Sequence, residues 1–341
     1  MVGSAILRSL EGKGYKNLIY RSHSKLDLTR QSDVERFFED ARPEYVFLAA
    51  AKVGGILAND TYKAEFIYDN IAIAINVIHS AYKTGVKKLL NLGSSCIYPK
   101  YAPQPMREDT LLTGTLEPTN EPYAIAKISA LKLCRYYNEQ YGTNFISVMP
   151  TNLYGPNDNF NLETAHALPA LIRKFHLARL LRIGSLEDVR NDIKRYTIGF
   201  GLDKGISDND EAILNVLKKV GITAEYVTLW GSGEVYREFM HVDDLAEACI
   251  FLMDGYDFTD IGEFVNVGTG EDIKIKELAM MIKEIVGFDG EIIYDTSMPD
   301  GTPRKLLDVS RINGLGWRAR IGLRDGIRNT YMWYLDGLKG G

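Results

Sequence analysis

Residues 88–96 read KLLNLGSSC, an apolar run that ends in a glycine and two serines. A short apolar run closed by small residues is typical of a buried parallel strand. Such runs alternate with longer helical patterns through the first half of the chain, as in parallel strands joined by crossover helices. The predicted strands are 18–21, 45–50, 88–94 and 144–150, with helices near 3–13, 32–41, 60–85 and 123–141. We therefore expect an α/β fold with a Rossmann-like, doubly wound parallel sheet.

The second half of the chain is less regular, which favours a smaller α/β substrate domain packed on this sheet. The segment near 179–224 is rich in charge and glycine and is interpreted as an insertion with one helix at 210–219. We assign residues 1–155 and about 239–256 to the nucleotide-binding domain, and residues 156–238 and 257–341 to the substrate domain.

The composition argues against several classes of binding partner. The formal net charge is -5 and the pI is 5.7, so the chain has no broad cationic field for nucleic acid. No apolar run reaches the ~20 residues of a membrane span. Cys96, Cys134 and Cys249 are widely spaced and lack the pairing of a disulfide framework or zinc site. We expect a cytoplasmic protein that binds no metal, nucleic acid or membrane.

The residues suited to catalysis follow the strand end at Ser94. Tyr123 and Lys127 are four residues apart in a predicted helix, so the ammonium can lie under the ring and stabilise a phenolate. A tyrosine with a lowered pKa is a usable proton donor, and Ser94 can hydrogen-bond the same carbonyl oxygen. With 20 tyrosines in the chain, about one Tyr-x-x-x-Lys is expected by chance. Its position one strand-to-helix step after Ser94 favours the catalytic interpretation.

Longer strings point to a family. They are AAAKVGGI at 49–56, SSCIYP at 94–99, EPTNEPY at 117–123, PTNLYGP at 150–156 and PDGTPRK at 299–305. Together with Ser94, Tyr123 and Lys127, they resemble the extended short-chain dehydrogenase/reductase family and, within it, the GDP-L-fucose synthases, over nearly the whole chain. The resemblance implies an enzyme that epimerises GDP-4-keto-6-deoxy-D-mannose at C3 and C5 and reduces it with NADPH at C4, giving GDP-L-fucose.

The resemblance also implies a role for each catalytic side chain. Tyr123 would donate the proton in hydride transfer, Lys127 would hold the nicotinamide ribose, and Ser94 would orient the sugar carbonyl. Cys96 and His166 would perform the epimerisations, which is chemically reasonable because a C4 ketone acidifies both neighbouring carbons. A thiol becomes a base if its pKa falls, and a histidine can return the proton. From the residues alone, such a cysteine or histidine is more often structural.

The expected cofactor is NADP(H). An NAD-preferring fold places a carboxylate after its second strand, whereas this chain has Arg21 and His23 in the run RSHSK. Positive groups and hydroxyls suit a 2′-phosphate, although a solvated basic turn is the alternative interpretation. The resemblance adds cofactor contacts at Gly3, Leu92, Gly93, Ser94, Ser95, Lys127, Pro150, Thr151, Asn152, Leu153 and His166.

The resemblance implies a site for the GDP-linked sugar formed by Lys174, Trp230, Arg237, Asp300 and Lys305. A base and a diphosphate need a flat apolar surface and fixed cations, which Trp230 and Arg237 can supply. Two alternatives stay open from the sequence. Trp230 could be a core residue, and Arg173 could make the phosphate contact assigned to Lys174.

At the start of the chain, the resemblance to the family's phosphate-binding turn covers only its last glycine, Gly3, and the helix after it. We expect the natural protein to carry roughly ten to fifteen residues before Met1, comprising a strand and a Gly-x-x-Gly turn. The strands at 18–21 and 45–50 should then lie on one side of a gap and 88–94 on the other. The family also implies a homodimer through the two longest predicted helices.

Two other functions stay open at this point. The chain could be a 4-epimerase or dehydratase of another nucleotide sugar, although the pairing of Cys96 with His166 favours the fucose-forming reaction. It could also be a non-catalytic protein that binds a nucleotide sugar or a partner, because the phosphate-binding turn is incomplete. Binding of NADPH would separate this second possibility from the enzymes.

Overall fold

The structure is a computed structural model that describes residues 1–203, 209–298 and 300–339. Residues 204–208 of the predicted insertion and Pro299 of the last quoted string therefore lie outside the described residues. The described helices are α1 Val2–Gly12, α2 Gln31–Ala41, α3 Ile56–Thr61, α4 Lys63–Lys83, α5 Glu121–Tyr141, α6 Ala167–Arg182, α7 Leu186–Arg195, α8 Asp210–Lys219, α9 Val242–Gly255, α10 Phe258–Ile261, α11 Ile275–Val286, α12 Ser310–Gly314 and α13 Leu323–Lys339. The described strands are β1 Tyr45–Leu48, β2 Lys88–Leu92, β3 Phe145–Pro150, β4 Asn152–Tyr154, β5 Tyr226–Trp230, β6 Tyr236–His241, β7 Val265–Val267, β8 Asp272–Lys274, β9 Glu291–Asp295 and β10 Arg304–Lys305.

Four parallel strands form the main sheet, in the order β1, β2, β3, β7. Every residue of β2 and β3 is buried, as expected for central strands covered on both faces. Apolar residues of α1 and α9 pack on one face, and residues of α2 and α4 pack on the other. The predicted doubly wound α/β sheet is therefore confirmed.

Two expectations about this sheet are wrong. Residues 18–21 form no strand, and the side chains of Ile19 and Tyr20 are 47% and 69% exposed. An apolar strand is stabilised when its side chains are buried against a sheet. The side chains of residues 18–21 stay in solvent, so this apolar run does not form a strand. The expected gap is contradicted as well, because β1 pairs directly with β2, from Tyr45 opposite Lys88 onward. In the described sheet, β1 is an edge strand.

The later part of the chain forms a second apolar cluster around α6, α11 and α13, in which Phe175, Leu278 and Tyr334 are buried. Here β6 pairs in parallel with β4 and β10 and antiparallel with β8, while β5 pairs with β9. The helix predicted at 210–219 is observed as α8. Among the described residues, no helix has the length and apolarity required to cross a bilayer.

Candidate active site

The site begins where β2 ends. Gly93 packs against β3 so closely that an added Cβ would lie 2.1 Å from the Cε of Met149. The next residue, Ser94, caps a 3₁₀ turn over Ser95–Ile97, and its Oγ accepts a hydrogen bond of 3.4 Å from the amide of Cys96. The same hydroxyl lies close enough to the Cys96 thiol and the Tyr123 phenol to lower the pKa of each. Ser94 therefore joins two side chains that the sequence assigns to different half-reactions.

Helix α5 presents Tyr123 in its first turn and Lys127 one turn later. The Lys127 Nζ donates a 2.8 Å hydrogen bond to the carbonyl of Leu92 and lies 5.7 Å from the centroid of the Tyr123 ring. Burial lowers the pKa of Lys127 to about 8. The geometry therefore matches the predicted shared face of the helix.

The predicted lowering of the Tyr123 pKa is wrong. Burial raises this pKa instead, and nearby Cys96 raises it further, against a small opposing effect of the Ser94 hydrogen bond. The physical reason is the position of Lys127, whose ammonium lies over the Tyr123 ring and donates its hydrogen bond to the Leu92 carbonyl. Desolvation of the phenolate therefore dominates. Tyr123 is thus a neutral phenol at neutral pH, which is the form that donates a proton.

Cys96 is 8% exposed, and burial raises the pKa of its thiol. The hydrogen bond from Ser94 and the positive charges of Lys305 and Lys127 act in the opposite direction. The sequence argument required a drop in this pKa, and the observed net shift is upward because desolvation outweighs these three effects. Formation of a thiolate at Cys96 therefore depends on the nearby cations.

His166 lies at the start of α6, on a loop that touches the AAAKVGGI string. The Gly55 amide donates a 2.9 Å hydrogen bond to the carbonyl of Thr164, two residues before His166. The His166 residue is exposed, yet the surrounding protein desolvates the imidazole enough that, together with the charge of Lys305, its pKa is lowered. His166 is therefore neutral at neutral pH.

Two cations of the candidate site come from the second half of the chain. Lys305 in β10 is the parallel partner of Arg237 in β6, so the two side chains share a face. Burial lowers the pKa of Arg237 to about 10, while Asp300 and Glu117 act against that shift. Asp300 itself accepts hydrogen bonds from the amide and hydroxyl of Ser232, at 2.7 and 2.8 Å.

Trp230 and Lys174 lie on a neighbouring part of the surface. Trp230 ends β5 and is 51% exposed, so it is not a core residue. Lys174 donates a 2.9 Å hydrogen bond to the carbonyl of Thr228 in the same strand, and burial lowers its pKa to about 8. Arg173 points away from this surface, because it is fully buried and its Nε donates to Asp192 at 2.9 Å. The alternative contact through Arg173 is therefore excluded.

The predicted cofactor residues fall into two groups. Pro150 ends β3, Leu153 lies in β4, and the side chains of Thr151 and Asn152 donate to the carbonyl of Glu238 at 3.3 and 2.7 Å. Together with Leu92, Gly93, Ser94 and Ser95, these residues lie at the carboxyl ends of neighbouring strands. An added Cβ on Gly3 in α1 would contact Ala49 just after β1, at 3.7 Å.

Within the described ranges, no contact links Arg21 or His23 to Ser94. Both lie on an exposed segment, and the Arg21 guanidinium stands 5.6 Å from the centroid of the Phe37 ring. Arg21 lines a shallow groove of about 370 Å³, together with Leu18, Ile19, Phe37, Asp40 and Ala41. The groove leaves room for a group beside the guanidinium.

Glu117 is a site residue that the sequence analysis did not select. Its Oε2 lies 2.9 Å from the Lys100 Nζ, and its charge acts on both Arg237 and Lys305. The available signal was its place in the string EPTNEPY, which also contains Tyr123. Its two cationic neighbours come from strands far along the chain, so no local pattern connects them.

The model of the NAD dependent epimerase/dehydratase family matches residues 1–192 and 193–268. The chain belongs to this family. Among its members, GDP-L-fucose synthase 1 of Arabidopsis thaliana is 52% identical over 335 residues, 98% of this chain and 90% of that protein. GDP-L-fucose synthase of Escherichia coli strain K12 is 47% identical over 342 residues, 98% of this chain and 94% of that protein.

Solved structures agree with this membership. A GDP-D-glycero-L-gluco-heptose synthase of Campylobacter jejuni, crystallised in the presence of NADPH, has a TM-score of 0.84 and 41% identity. The match covers 98% of this chain and 95% of that structure. These findings confirm the family resemblance drawn from the motifs.

Proposed function

We propose that this family member converts GDP-4-keto-6-deoxy-D-mannose to GDP-L-fucose, by epimerisation at C3 and C5 followed by NADPH-dependent reduction at C4. The observation that carries the proposal is the position of Ser94. Its Oγ accepts a hydrogen bond from the Cys96 amide, and its hydroxyl lowers the pKa of both the Cys96 thiol and the Tyr123 phenol. One ketone bound at Ser94 would lie beside the side chains of both half-reactions. The near full-length similarity to two GDP-L-fucose synthases supports this choice over the 4-epimerase, dehydratase and non-catalytic alternatives.

The residues at the strand ends fit a nicotinamide cofactor. Lys127 is buried and donates one described hydrogen bond, to Leu92, while an ammonium carries three donors. The remaining donors suit the hydroxyls of a ribose. NADP(H) is the proposed cofactor, with Arg21 in the groove for its 2′-phosphate and His23 two residues further along the chain. When bound, NADPH supplies the hydride for C4.

Tyr123 protonates the C4 oxygen as the ketone is reduced. Burial keeps the phenol protonated until this step, and the Ser94 hydroxyl holds the oxygen in place. The Lys127 ammonium, 5.7 Å from the ring centroid, offsets part of the negative charge that forms on the phenolate, although it does not overcome desolvation in the resting enzyme. These three residues therefore orient the carbonyl, give up the proton and stabilise the charge left behind.

Cys96 and His166 invert C3 and C5. The Cys96 thiolate takes the proton from carbon, and protonated His166 returns one from the opposite face of the sugar ring. Burial disfavours both charged forms, whereas Lys305 favours the thiolate and opposes the imidazolium. The rate of proton exchange should therefore depend strongly on pH and on the charge of Lys305.

The proposed nucleotide-sugar site uses the surface formed by β5, β6 and β10. Trp230 offers an exposed flat ring to the base, while Arg237 and Lys305 face the diphosphate. Asp300 interacts with the Arg237 guanidinium, and Lys174 adds a positive charge near β5. This arrangement supports a substrate that carries both a base and a diphosphate.

The domain division keeps the bounds predicted from the sequence, with the GDP-sugar bound by the smaller domain. We also propose a homodimer and a cytoplasmic location. Exposed apolar side chains on α4 and α5 support the dimer, among them Tyr68 at 70% and Tyr136 at 53% exposed. The three cysteines are buried and free, which fits a reducing compartment.

The proposal is tested by the products of the full chain and of Cys96→Ser. The wild type should convert GDP-4-keto-6-deoxy-D-mannose and NADPH to GDP-L-fucose. The serine hydroxyl is a far weaker base, so the variant should still oxidise NADPH but release sugars that are reduced without epimerisation. The products are separated by chromatography and assigned by NMR. Cys134→Ala, which alters a buried cysteine outside the site, is the matched control. Absence of GDP-L-fucose with the wild type would refute the proposed function.

A further inference from the structure

The predicted insertion makes direct contact with the loop that ends at His166. This His166 loop covers residues 155–166, between β4 and α6. The Asn161 Nδ2 donates to the Thr197 hydroxyl at 2.6 Å and to the Thr197 carbonyl at 3.3 Å. The Phe200 amide donates to the Glu163 carboxylate at 2.6 Å. The segment that follows α7 in the insertion is therefore hydrogen-bonded to the His166 loop at two places.

Within the His166 loop, Asn161 bonds the residues that come just before His166. Its Oδ1 accepts hydrogen bonds from the amides of Glu163 and Thr164 at 3.0 and 3.1 Å, and from the Thr164 hydroxyl at 3.1 Å. Its carbonyl accepts from the Ala165 amide at 2.8 Å. One asparagine thus fixes the backbone before His166 with its oxygen atoms and binds the insertion with its amide nitrogen.

The turn after α7 fits closely against this loop at Gly199. An added Cβ on Gly199 would lie 2.5 Å from the Cβ of Glu163 and 3.0 Å from the Oδ1 of Asn161. Its φ of +88° is also a conformation that glycine adopts readily. The amides of Ile198 and Gly199 donate to the Asp203 carboxylate at 2.7 and 2.9 Å, which holds the turn in this shape. Only a residue without a Cβ can approach the loop this closely.

Arg173 joins the same two segments from inside the fold. Its Nη1 donates to the carbonyls of Phe160 and Thr197 at 2.9 and 2.7 Å, and its Nη2 donates to the carbonyl of Tyr196. The guanidinium is fully buried, and the Asp192 carboxylate of α7 compensates its charge. The His166 loop, the end of α7 and the middle of α6 are therefore held together around one side chain.

These contacts matter for His166 because this residue connects the loop to α6. The backbone on its N-terminal side is bonded by Asn161 and, through the Thr164 carbonyl, by the Gly55 amide at 2.9 Å. A general acid must lie within hydrogen-bond reach of the carbon that it protonates. A misplacement of about 1 Å can cost about 10²-fold in rate. The position of the loop backbone is thus expected to affect the protonation step.

We infer that Asn161 is a positioning residue for epimerisation, through which residues 196–200 of the insertion hold the His166 loop in place. The inference deepens the proposed function and rests on it. In the epimerisation step, the proton leaves C3 or C5 for the Cys96 sulfur and the electron pair forms the enolate of the C4 ketone. His166 then returns a proton to carbon on the opposite face. Asn161 gains and loses no proton, and acts through the backbone before His166.

The first test measures the ratio of epimerised to unepimerised product made from GDP-4-keto-6-deoxy-D-mannose and NADPH. Thr197→Val keeps the shape of the side chain and removes the hydroxyl that accepts from Asn161, so the ratio should fall about fivefold, the factor that one hydrogen bond contributes. Thr197→Ser keeps the hydroxyl and should restore the wild-type ratio. Partial misfolding lowers both products together and leaves the ratio unchanged.

The second test applies the same measurement to Asn161→Ala. This change removes the bonds to Thr197 together with those that Oδ1 accepts inside the loop, so the ratio should fall about tenfold or more. Asn191→Ala, which removes an exposed asparagine side chain from α7 of the same insertion, is the matched control and should keep the wild-type ratio.

The outcomes separate this inference from the proposed function. If the wild type makes no GDP-L-fucose, the proposed function fails and the inference fails with it. If the wild type makes GDP-L-fucose and both Thr197→Val and Asn161→Ala keep its product ratio, the role of Asn161 is refuted and the proposed function stands. A lower ratio in Asn161→Ala alone would refute the part played by the insertion. An equal loss in Thr197→Ser and Thr197→Val would refute it as well, because the hydroxyl would then not be the group that matters.

Discussion

In the proposed mechanism, the Ser94 hydroxyl lies near both the Cys96 thiol and the Tyr123 phenol, so two kinds of proton chemistry share a single anchor for the ketone. The two partners differ in what they must do. Tyr123 has to keep its proton until reduction, and burial achieves this. Cys96 has to lose its proton, and burial opposes that loss. The positive charges of Lys305 and Lys127 therefore matter more for epimerisation than for protonation of the C4 oxygen.

Tyr123→Phe removes the proton donor and keeps the ring that packs edge-on against Phe66, 6.3 Å away. NADPH oxidation should fall by about 10² or more, while solvent exchange at C3 and C5 should persist. The two activities are measured by absorbance and by NMR. Tyr136→Phe, on the exposed side of the same helix, should behave as wild type. Reduction at the wild-type rate in Tyr123→Phe would remove this residue from the mechanism.

The low pKa of Lys127 predicts a pH dependence for the reduction. Its pKa is lowered to about 8, so the ammonium is charged below that pH and neutral above it. In the proposed mechanism the charged form stabilises the phenolate and holds the ribose, so the rate of hydride transfer should fall as the pH rises through about 8. Stopped-flow measurement of a single turnover at several pH values tests this. The same limb in Lys127→Met would assign it to another group.

At the residue scale, the sequence predicts part of the site. The strand end at Ser94 and the four-residue spacing of Tyr123 and Lys127 were enough to place these three side chains together. The sequence alone did not predict that the pKa values of Tyr123 and Cys96 are raised, because the burial that raises them depends on packing between distant elements. Glu117 was missed for the same reason, because Lys305 and Arg237, on whose pKa values its charge acts, come from the other half of the chain.

At the scale of elements, the AAAKVGGI string packs against the loop that leads to His166. The Gly55 amide bonds the Thr164 carbonyl, and an added Cβ on Gly55 would lie 2.7 Å from the carbonyl oxygen of Ala165. On its other side, an added Cβ on Gly54 would meet the Phe66 ring at 3.2 Å. Since Phe66 packs on Tyr123, this turn connects the supports of His166 and Tyr123.

Gly55→Ala should therefore displace the loop before His166. The added methyl cannot fit against backbone atoms, so solvent exchange at C3 and C5 should fall about tenfold or more through misplacement of the imidazole. Exchange is followed by NMR, and folding is checked by circular dichroism. Gly12→Ala, whose added Cβ would meet nothing within 4 Å, is the matched control. Wild-type exchange in Gly55→Ala would show that the loop adjusts without cost to His166.

The sequence predicted the elements of the main sheet better than its edge. The strand at 88–94 and the helix at 123–141 were found, with the observed bounds Lys88–Leu92 and Glu121–Tyr141, because both are buried and strongly patterned. Residues 18–21 have a similar apolar pattern but remain exposed. Local pattern alone cannot distinguish a strand from an apolar run that finds no partner.

At the scale of the whole molecule, the site depends on how two distant parts of the chain meet. β10 pairs with β6 and brings Lys305 beside Arg237. The Met106 amide bonds the Leu306 carbonyl at 2.8 Å, and so fixes this strand to the segment that follows Cys96. This contact joins residues about two hundred positions apart, which explains why motifs identified the residues but not their arrangement.

The last prediction concerns association of two copies through α4 and α5. Tyr68 and Ile75 lie seven residues apart on α4, hence on one face, and are 70% and 50% exposed. Ile125 and Tyr136 lie eleven residues apart on α5, again on one face, and are 37% and 53% exposed. Apolar side chains concentrated on two adjacent helices gain free energy when a second copy covers them. The wild type should therefore be a dimer at micromolar concentration by light scattering, and the double variant Tyr68→Glu, Ile75→Glu should be a monomer because dimerisation would bury its new charges. Met280→Glu, which changes a 54% exposed apolar residue on α11, should remain dimeric. A monomeric wild type would exclude the dimer, and a dimeric double variant would place the interface elsewhere.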